Sequence, residues 1–560
     1  MPNRPRPGAM TDEVAPRDRI GRASAVIASG TLVSRALGFL NATVLVWTIG
    51  VQNPAANAFS LANTLPTNIY ALIAGGLTSA VIVPQIVRAA GHDDGGQAFV
   101  NRILTLGISL FLGIGVVTTL ASPLLIALYT NSSSQALSPS GLALAVTFGY
   151  WCLPQVFFYA LYALLGEVLN ARGVFGPFTW APVANNVVMI TSLVVFGAVF
   201  GVDPAHTDPA GWTSSQIALF GGGATLGIAV QALVLIAFWR RTGLGFRPDF
   251  RFRGVGLGTT GRAAGWIFGM ILITQITIAV QSNVASLAGR YDPSIAVLNT
   301  AWLLFMLPHS ILALSVATPF FTRMSAHAQA GKLDSLRDDL SSSLRTILLL
   351  VVGGGTAVGA AAMPLAAFFD ANPSSVVGIS SVLLAYLVGL VPFSTMFVLQ
   401  RAFFALGDTR TTFFIQLVQG VVAVLALLAV AFLVAPGRPD LVGVGVALCT
   451  SVASTVQAIV LAVVLRHRIR GIDATRVLLR LALFLAAAVV AVAAGVGVLA
   501  LLGGFSGGFA VADRLSAFVS IVLVGGTVLV VYGAALLAAR VPEARAGLGP
   551  LRRILGRRAG

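Results

Sequence analysis

The chain has 560 residues, of which 57% are hydrophobic and only 10% charged, and its mean hydropathy is +0.91. This composition excludes an ordinary soluble fold and indicates a polytopic helical membrane protein. The formal charge of +16 comes almost wholly from arginine, since Lys332 is the sole lysine. In a membrane protein such an excess reports loop topology rather than nucleic-acid binding.

The first 22 residues are rich in proline and arginine, and no short apolar core with a cleavage site follows them. They predict a disordered cytoplasmic tail, with the first span acting as an uncleaved anchor. The two cysteines, Cys152 and Cys449, fall inside apolar segments and therefore predict neither a disulfide framework nor a metal site.

Apolar segments separated by polar or Gly/Pro-rich loops predict an all-α protein with about 14 transmembrane helices. The predicted spans, in chain order, are 23–50, 57–86, 100–128, 140–169, 177–201, 214–239, 263–289, 294–321, 342–369, 376–406, 411–435, 441–465, 477–503 and 515–539.

The basic residues provide an independent test of this count, because cytoplasmic loops are enriched in lysine and arginine. With a cytoplasmic N-terminus, every second loop should be basic, and all but four of the basic residues lie in or beside these loops. The exceptions are Arg35, which lies well within a span, and Arg290, Arg438 and Arg514, which lie in the opposite loops. The pattern predicts a multi-pass protein of a plasma membrane with both termini in the cytoplasm.

The chain also repeats itself. Pro154 precedes Asn170 and Arg172 by the same intervals at which Pro392 precedes Asp408 and Arg410. The repeat predicts two parallel six-helix lobes, 23–240 and 263–466, joined by a basic cytoplasmic linker, 241–262. Two further helices (467–540) and a basic tail (541–560) follow. Such twofold construction is typical of alternating-access transporters.

Arg35 lies near the middle of the first predicted span. Because arginine stays charged and costs at least about 2.5 kcal/mol at bilayer depth, it usually faces a hydrated cavity or a polar partner. A second interpretation is an arginine that snorkels to the head groups, since the start of the span is only about three turns away. We favour a cationic residue that lines a transport cavity.

Four motifs carry a resemblance to a known family. They are SRALGF at 34–39, LPTN at 65–68, VLNARG at 168–173 and QRAFFALGDTRT at 400–411. Together with the helix count, they resemble the MurJ (MviN) lipid II flippases of the multidrug/oligosaccharide-lipid/polysaccharide exporter superfamily, over residues 24–540. The composition, heavy in Arg, Ala, Gly and Val, is typical of an actinobacterial member.

The resemblance implies a flippase, not an enzyme, that moves a lipid-linked cell-wall precursor from the inner to the outer leaflet by alternating access. The substrate would be the undecaprenyl-pyrophosphate-linked peptidoglycan unit. Asn41 and Ala42, Tyr70 and Ala71, and Trp302 and Leu303 stand where better-known members carry charged residues. Of the family's cavity arginines, this chain retains Arg35.

Intramembrane polar residues are functional candidates, although helix–helix hydrogen bonding is an equally good role for several of them. The predicted cavity residues are Arg35, Asn41, Asn63, Asn68, Tyr70, Gln275, Gln281 and Asn283. The predicted structural or gating residues are Asn170, Arg172, Pro308, Arg401, Asp408 and Arg410.

No cofactor is expected. Predicted spans 7, 11 and 12 hold no Asp or Glu in their interiors, whereas hard cations prefer oxygen ligands that include a carboxylate. A sodium site of the kind that some family members hold there is therefore not supported. The membrane potential, worth about 2.3 kcal/mol per charge per 100 mV, is left as a driving force.

Two alternatives stay open at this point. One is a flippase for another polyprenyl-linked glycan, such as a teichoic-acid or exopolysaccharide intermediate. The other is a non-transporting scaffold that recruits cell-wall synthesis or division proteins through its basic loops. The expected partners are the lipid-linked oligosaccharide, anionic membrane lipids and such proteins; nucleic acid is not expected.

Overall fold

A computed structural model describes residues 16–77, 94–202, 204–251, 261–505 and 507–547, with the side chains of the first helix described from Ser29 onward. The predicted tails, 1–22 and 541–560, and the linker 241–262 therefore lie partly outside the described residues. The predicted domain boundaries stay predictions.

The described residues of the first half of the chain form eight α-helices. These are α1 Pro16–Ile49, α2 Pro54–Leu77, α3 Gln97–Leu120, α4 Ser122–Tyr129, α5 Pro139–Cys152, α6 Gln155–Ala171, α7 Phe175–Phe200 and α8 Ser214–Ala237. Short 3-10 turns, Pro204–Thr207 and Pro209–Gly211, connect α7 to α8, and Trp239–Thr242 follows α8.

The second half begins with α9 Gly261–Ala285 and α10 Ile295–Pro308, and a π-helical turn, His309–Ala313, leads into α11. The later helices are α11 Leu314–Gln329, α12 Leu333–Ala360, α13 Ala362–Phe369, α14 Pro373–Val388, α15 Leu390–Ala405, α16 Thr409–Ala429, α17 Val442–Arg468, α18 Ala474–Leu501, α19 Phe509–Ala512, α20 Arg514–Ala538 and α21 Pro542–Gly547.

Twelve stretches of the described chain are long and apolar enough to cross a membrane, or thirteen if the bent pair α14–α15 counts as one span. The helix α2 occupies the position of the second predicted span. The protein is thus a multi-pass, all-α membrane protein, and its span count agrees with the predicted number of about fourteen.

Two helices begin earlier than predicted. The helix α1 starts at Pro16, inside the segment predicted to be a disordered tail, and α12 starts at Leu333, nine residues before the predicted span. Proline is favoured at the first position of a helix, and charged residues such as Arg337 and Arg345 are good helix formers. Hydropathy locates the membrane-embedded part of a helix and misses its polar extension.

The two halves break their helices at matching places. The third span is interrupted at Ala121, before the eight-residue helix α4, and the ninth at Ala361, before the eight-residue helix α13. The fourth span breaks at Leu153-Pro154, and the tenth bends by 44° at Gly389. Because the breaks fall in corresponding spans of the two halves, they confirm the parallel repeat that the sequence predicted.

Each half packs mainly on itself. The helix α1 packs against α7, α7 against α8 and α3 against α6, whereas α9 packs against α16 and α15 against α17. Helices α18 and α20 pack on each other and on α12, so the two appended helices join the second lobe. Between the lobes, α2 contacts α9 and α10, and α4 contacts α9.

Candidate functional site

Arg35 lies on the face of α1 that is not covered by α7. The neighbouring Ser34 carbonyl accepts a hydrogen bond from the Asn186 side chain of α7 at 3.1 Å, which fixes the rotation of α1 about its axis. The Arg35 side chain is exposed, and its charge acts on His309 of the second lobe. Arg35, the only arginine in the interior of a predicted span, is therefore within electrostatic range of the second lobe.

His309 is held in place by the second lobe. It begins the π-helical turn that follows Pro308, and its Nδ1 lies 2.9 Å from the Ser394 hydroxyl of α15. The rings of Phe393 and Phe397 pack edge-on against the imidazole. A π-turn is common at functional positions in helices, and here it places a buried histidine opposite Arg35.

Among the described residues, the hydrogen bonds between the two lobes cluster at one end of the protein. The loop after α4 bonds to the end of α9, where the Asn131 N–H donates to the Ser286 hydroxyl at 3.0 Å and the Ser134 hydroxyl donates to the Ser286 carbonyl at 2.9 Å. The buried Asn57 of α2 accepts a bond from the Ala296 N–H at 3.0 Å.

Aromatic contacts reinforce the same end. The indole of Trp47 on α1 donates to the Phe368 carbonyl of α13 at 3.0 Å, and Phe39 packs edge-on against Phe369. The lobes are thus sealed at the end that carries α4, α13 and the loop after α9.

A cavity of about 750 Å³ lies between the lobes beside this seal. Its wall is mostly apolar. It is formed by α4, α9, the end of α16 with the residues that follow it up to Pro436, and the loop that holds Asn131. Gln275 and Asn283 contribute to it, and the Gln275 side-chain oxygen is buried without a hydrogen-bond partner. Because buried polar atoms are nearly always paired, this oxygen marks a place for water or a ligand group.

A smaller cavity of about 60 Å³ lies next to it and brings together Asn68 of α2 and Gln281 of α9. The side chain of Asn68 lies near the Tyr129 hydroxyl, and that of Gln281 lies near the Tyr386 hydroxyl. The Ser282 hydroxyl in its wall is buried without a partner. This volume is enough for ordered water but not for a sugar.

The structure does not bring every predicted cavity residue to these cavities. Asn63 accepts a hydrogen bond from Gln155 at 3.2 Å within the first lobe. Tyr70 stacks on Tyr159, also within the first lobe. Asn41 is half-buried, and its side-chain oxygen lacks a partner. Polar residues of α2 were expected to line the cavity together. Asn63 and Tyr70 instead face α6, whose polar and aromatic side chains pair with them.

The predicted gating residues lie at helix ends. Arg172 donates to the Gly95 carbonyl and Asp408 caps α16, while the guanidinium groups of Arg401 and Arg410 lie over Phe397 at 4.5 Å and Phe414 at 5.9 Å. Asn170 is half-buried, and its carbonyl accepts from the Gly173 N–H at 3.0 Å. Apart from the Arg172 bond, these contacts are local to single helix ends, and a gating role stays a prediction.

Sequence reasoning missed Asn131, Tyr129 and Asn299. The side chain of Asn299 donates to Thr64 across the lobes at 3.4 Å. Asn131 lies in a loop, and nothing in the sequence places it against α9. For Asn299, the signal was available, since it is an asparagine inside an apolar helix.

A network of neutral amides joins the predicted spans 7, 11 and 12. The Gln457 amide donates to the Gln416 oxygen at 2.8 Å, and the Gln416 amide donates to Gln419 at 2.9 Å and to the Thr274 hydroxyl at 3.4 Å. In the described parts of the chain, no group of three His, Cys, Asp or Glu residues is placed to hold a metal ion.

Comparison with known proteins gives a consistent result. The chain is 26% identical to a probable lipid II flippase MurJ of Haemophilus influenzae, over 77% of this chain and 83% of that one. It is 27% identical to the one of Vibrio cholerae, over 71% and 75% of the two chains.

Solved structures show the same fold. A lipid II flippase MurJ in an inward closed conformation matches with a TM-score of 0.68 and 17% identity, over 92% of this chain and all of that one. An inward-facing multidrug resistance MATE transporter of the MOP superfamily matches with a TM-score of 0.61 and 20% identity, over 78% and 96% of the two chains. The family model described as lipid II flippase MurJ matches residues 47–537. The chain therefore belongs to the MurJ family.

Proposed function

We propose that this protein is a lipid II flippase, which carries the undecaprenyl-pyrophosphate-linked peptidoglycan unit from the inner to the outer leaflet by alternating access. The observation that carries the proposal is Arg35, an exposed cation beside the Ser34 carbonyl that binds Asn186 of α7, and within electrostatic range of His309 of the second lobe. The relatives from Haemophilus influenzae and Vibrio cholerae are both named probable lipid II flippases, which supports the same substrate.

Arg35 suits a pyrophosphate. A guanidinium offers a planar fork of N–H donors that matches two phosphate oxygens, and such charge-assisted bonds strengthen where water is excluded. The tail of the lipid would stay in the bilayer while the head group enters the space between the lobes. Gln275 and Asn283 in the larger cavity would then meet sugar or peptide groups during passage.

The seal defines the direction of the cycle. We propose that both termini lie in the cytoplasm. The end that carries α4, α13 and the loop after α9 would then face outward, and the lobes would be closed to the outside. Head-group release then requires the Asn131, Asn57 and Trp47 contacts to break as the lobes rock.

The amide network supports a cycle without sodium coupling. Gln416, Gln419 and Gln457 satisfy one another's hydrogen bonds and supply no negative charge to a cation. We propose that the membrane potential drives transport. Replacing sodium by choline at a fixed potential should leave the flipping rate unchanged; a rate that falls with sodium removal would contradict this.

The decisive experiment uses proteoliposomes that contain fluorescent lipid II and, in parallel, a polyprenyl-linked teichoic-acid or exopolysaccharide intermediate. Protein-dependent translocation of lipid II, lost in Arg35→Ala, supports the proposal. Transport of another polyprenyl-linked glycan alone would reassign the substrate. Absence of any transport, with cell-wall enzymes still recruited to the membrane in cells, would indicate a scaffold.

A further inference from the structure

The larger cavity between the lobes, of about 750 Å³, has an open side. One wall belongs to the first lobe and includes Leu128 at the end of α4. The other wall belongs to the second lobe and includes Phe432, in the π-helical turn Val430–Val434 that follows α16. The Leu128 and Phe432 side chains are 61% and 74% exposed, so the described residues leave this side of the cavity uncovered.

The cavity lies in the half of the membrane that is nearer the seal. Its lining residues on α9 begin at Leu272, near the middle of the candidate span Gly265–Ala285, and continue past the end of that span to Leu287. Those of the candidate span Thr409–Val434 begin at Leu428, in its last two turns. The apolar side chains at the open side are therefore level with the hydrocarbon chains of the bilayer.

One face of α9 connects the open side with the interior of the protein. Leu272 and Ile276 on this face are exposed, whereas Gln275 and Val284 are buried. The Gln275 side chain is only 7% exposed, and no described residue donates a hydrogen bond to its oxygen. Since buried polar atoms are nearly always paired, this oxygen favours an occupant that brings a donor. Tyr129 lines both this cavity and the smaller one, so the open side continues into the space between the lobes.

The chemistry of the wall suits an apolar chain with a polar end. Among the described residues, polar side chains line the cavity at Tyr129, Gln275, Asn283 and in the loop 131–135, and the remainder of the wall is apolar. Apolar surfaces hold water poorly, and the bilayer supplies lipid chains at this depth. A lipid that changes leaflets must keep its chain in hydrocarbon while its head group lies between the lobes. The lobes therefore need a sideways opening through which the chain can extend.

We propose that the larger cavity binds the polyprenyl chain of the transported lipid and gives this chain a route into the outer leaflet. This inference rests on the proposed function and membrane orientation, and it deepens them by naming the path of the chain. The chain would lie on Leu128, Ile276 and Phe432, while the Gln275 oxygen would accept from a hydroxyl or amide group of the head group. The π-helical turn at the mouth agrees with this role, because such turns are common at functional positions.

The test uses the full-length protein in phosphatidylcholine nanodiscs with undecaprenyl phosphate that carries a diazirine on its chain. After illumination, mass spectrometry identifies the labelled peptides. Phosphatidylcholine with the same diazirine on an acyl chain is the comparison probe. The variant is Ala279→Phe, which adds bulk to α9 inside the cavity. The matched control is Ala198→Phe, at an exposed position of α7 outside the cavity wall. Lipid II flipping by both variants is measured in proteoliposomes.

The undecaprenyl probe should label the second half of α9 and the π-helical turn Val430–Val434. Ala279→Phe should lower this labelling about tenfold, the effect expected when about two methylene groups lose their burial. Its lipid II flipping should fall to a similar extent, and Ala198→Phe should behave as the wild type does. Labelling of the cavity by the phosphatidylcholine probe to the same extent would assign the cavity to bilayer lipid and overturn the proposal. Undecaprenyl labelling confined to other helices would also overturn it.

Failure of the proposed function would give a different result. If the wild type does not flip lipid II but the undecaprenyl probe labels the cavity, the chain site stands and the head group has to be reassigned. If the wild type and Ala279→Phe flip lipid II equally well, the function stands and the route of the chain is wrong.

Discussion

The Asn131 side chain, in the loop after α4, donates a hydrogen bond to the side-chain oxygen of Asn283 on α9 at 3.1 Å. The bond joins the two lobes at their sealed end, next to the contacts that Asn131 and Ser134 make with Ser286. In an alternating-access cycle these groups must separate, since they block the way out of the space between the lobes.

Covalently joining this pair should stop transport. A protein with Asn131→Cys and Asn283→Cys, treated with a short thiol-reactive cross-linker, should lose nearly all lipid II flipping in proteoliposomes. The native cysteines, Cys152 and Cys449, are buried and should react little. The two single variants, treated in the same way, set the baseline against which the loss of flipping by the cross-linked protein is measured. Normal flipping by the cross-linked protein would show that the seal does not open during the cycle.

Replacing Arg35 should weaken binding of the lipid without preventing folding. A charge-assisted bond to pyrophosphate contributes roughly 1.5–3 kcal/mol, so Arg35→Ala should lose about ten- to a hundredfold in lipid II affinity. Arg35→Lys, which keeps the charge but not the planar fork, should be intermediate. Lipid II binding in detergent measures both. Arg466→Ala, at an exposed arginine at the end of α17, serves as the control and should bind like the wild type.

Glu543 should be important for stability. It accepts from Arg345 Nη1 at 2.6 Å, and the two side chains are only 10% and 14% exposed; Arg480 lies 3.9 Å away. Glu543→Ala leaves a nearly buried guanidinium unpaired and should cost roughly 3 kcal/mol.

Asp440→Ala is the matched control, because its ion pair with Arg438 is exposed and such pairs contribute at most about 1 kcal/mol. Denaturant unfolding in detergent measures both variants. Equal effects of the two substitutions would show that Arg345 finds water or another acceptor when Glu543 is lost.

Asp408 should make stability depend on pH at the acid end. Burial alone would raise the pKa of its carboxyl, but hydrogen bonds from Thr411 and Arg468 outweigh burial and lower it below the ordinary value of 3.8. The ionised form is thus stabilised in the folded protein. Its contribution is complete above about pH 4 and is lost as the pH falls through the folded-state pKa.

Asp408→Asn keeps the oxygen that caps α16 and removes the charge that meets Arg468, whereas Asp408→Ala also loses the cap, at a further cost of about 1 kcal/mol. The stability difference between wild type and Asp408→Asn should shrink as the pH is lowered below about 4. Unfolding midpoints between neutral pH and pH 3 measure it, and a difference that stays constant with pH would exclude the charge as its source.

Much of the fold could be predicted from the sequence because the bilayer imposes a local rule. Apolar stretches of sufficient length located the spans, and Pro154 and Pro392, with the residues that follow them, revealed the repeat. The starts of α1 and α12 were missed, because the helical hydrogen-bond ladder continues into polar residues that hydropathy does not register. The motifs around Arg35 and Asp408 already indicated the family.

The sequence by itself thus determined a multi-pass helical protein with two repeated lobes and one arginine near the middle of a predicted span. Tertiary structure decided which polar residues meet. Asn63 and Tyr70 were assigned to a cavity by their position on α2, yet they pair with Gln155 and Tyr159 of α6. Asn131 meets Asn283, 152 residues away in the chain. Span positions follow from local hydropathy, whereas side-chain partners follow from the rotation and packing of whole helices, which no short stretch of sequence encodes.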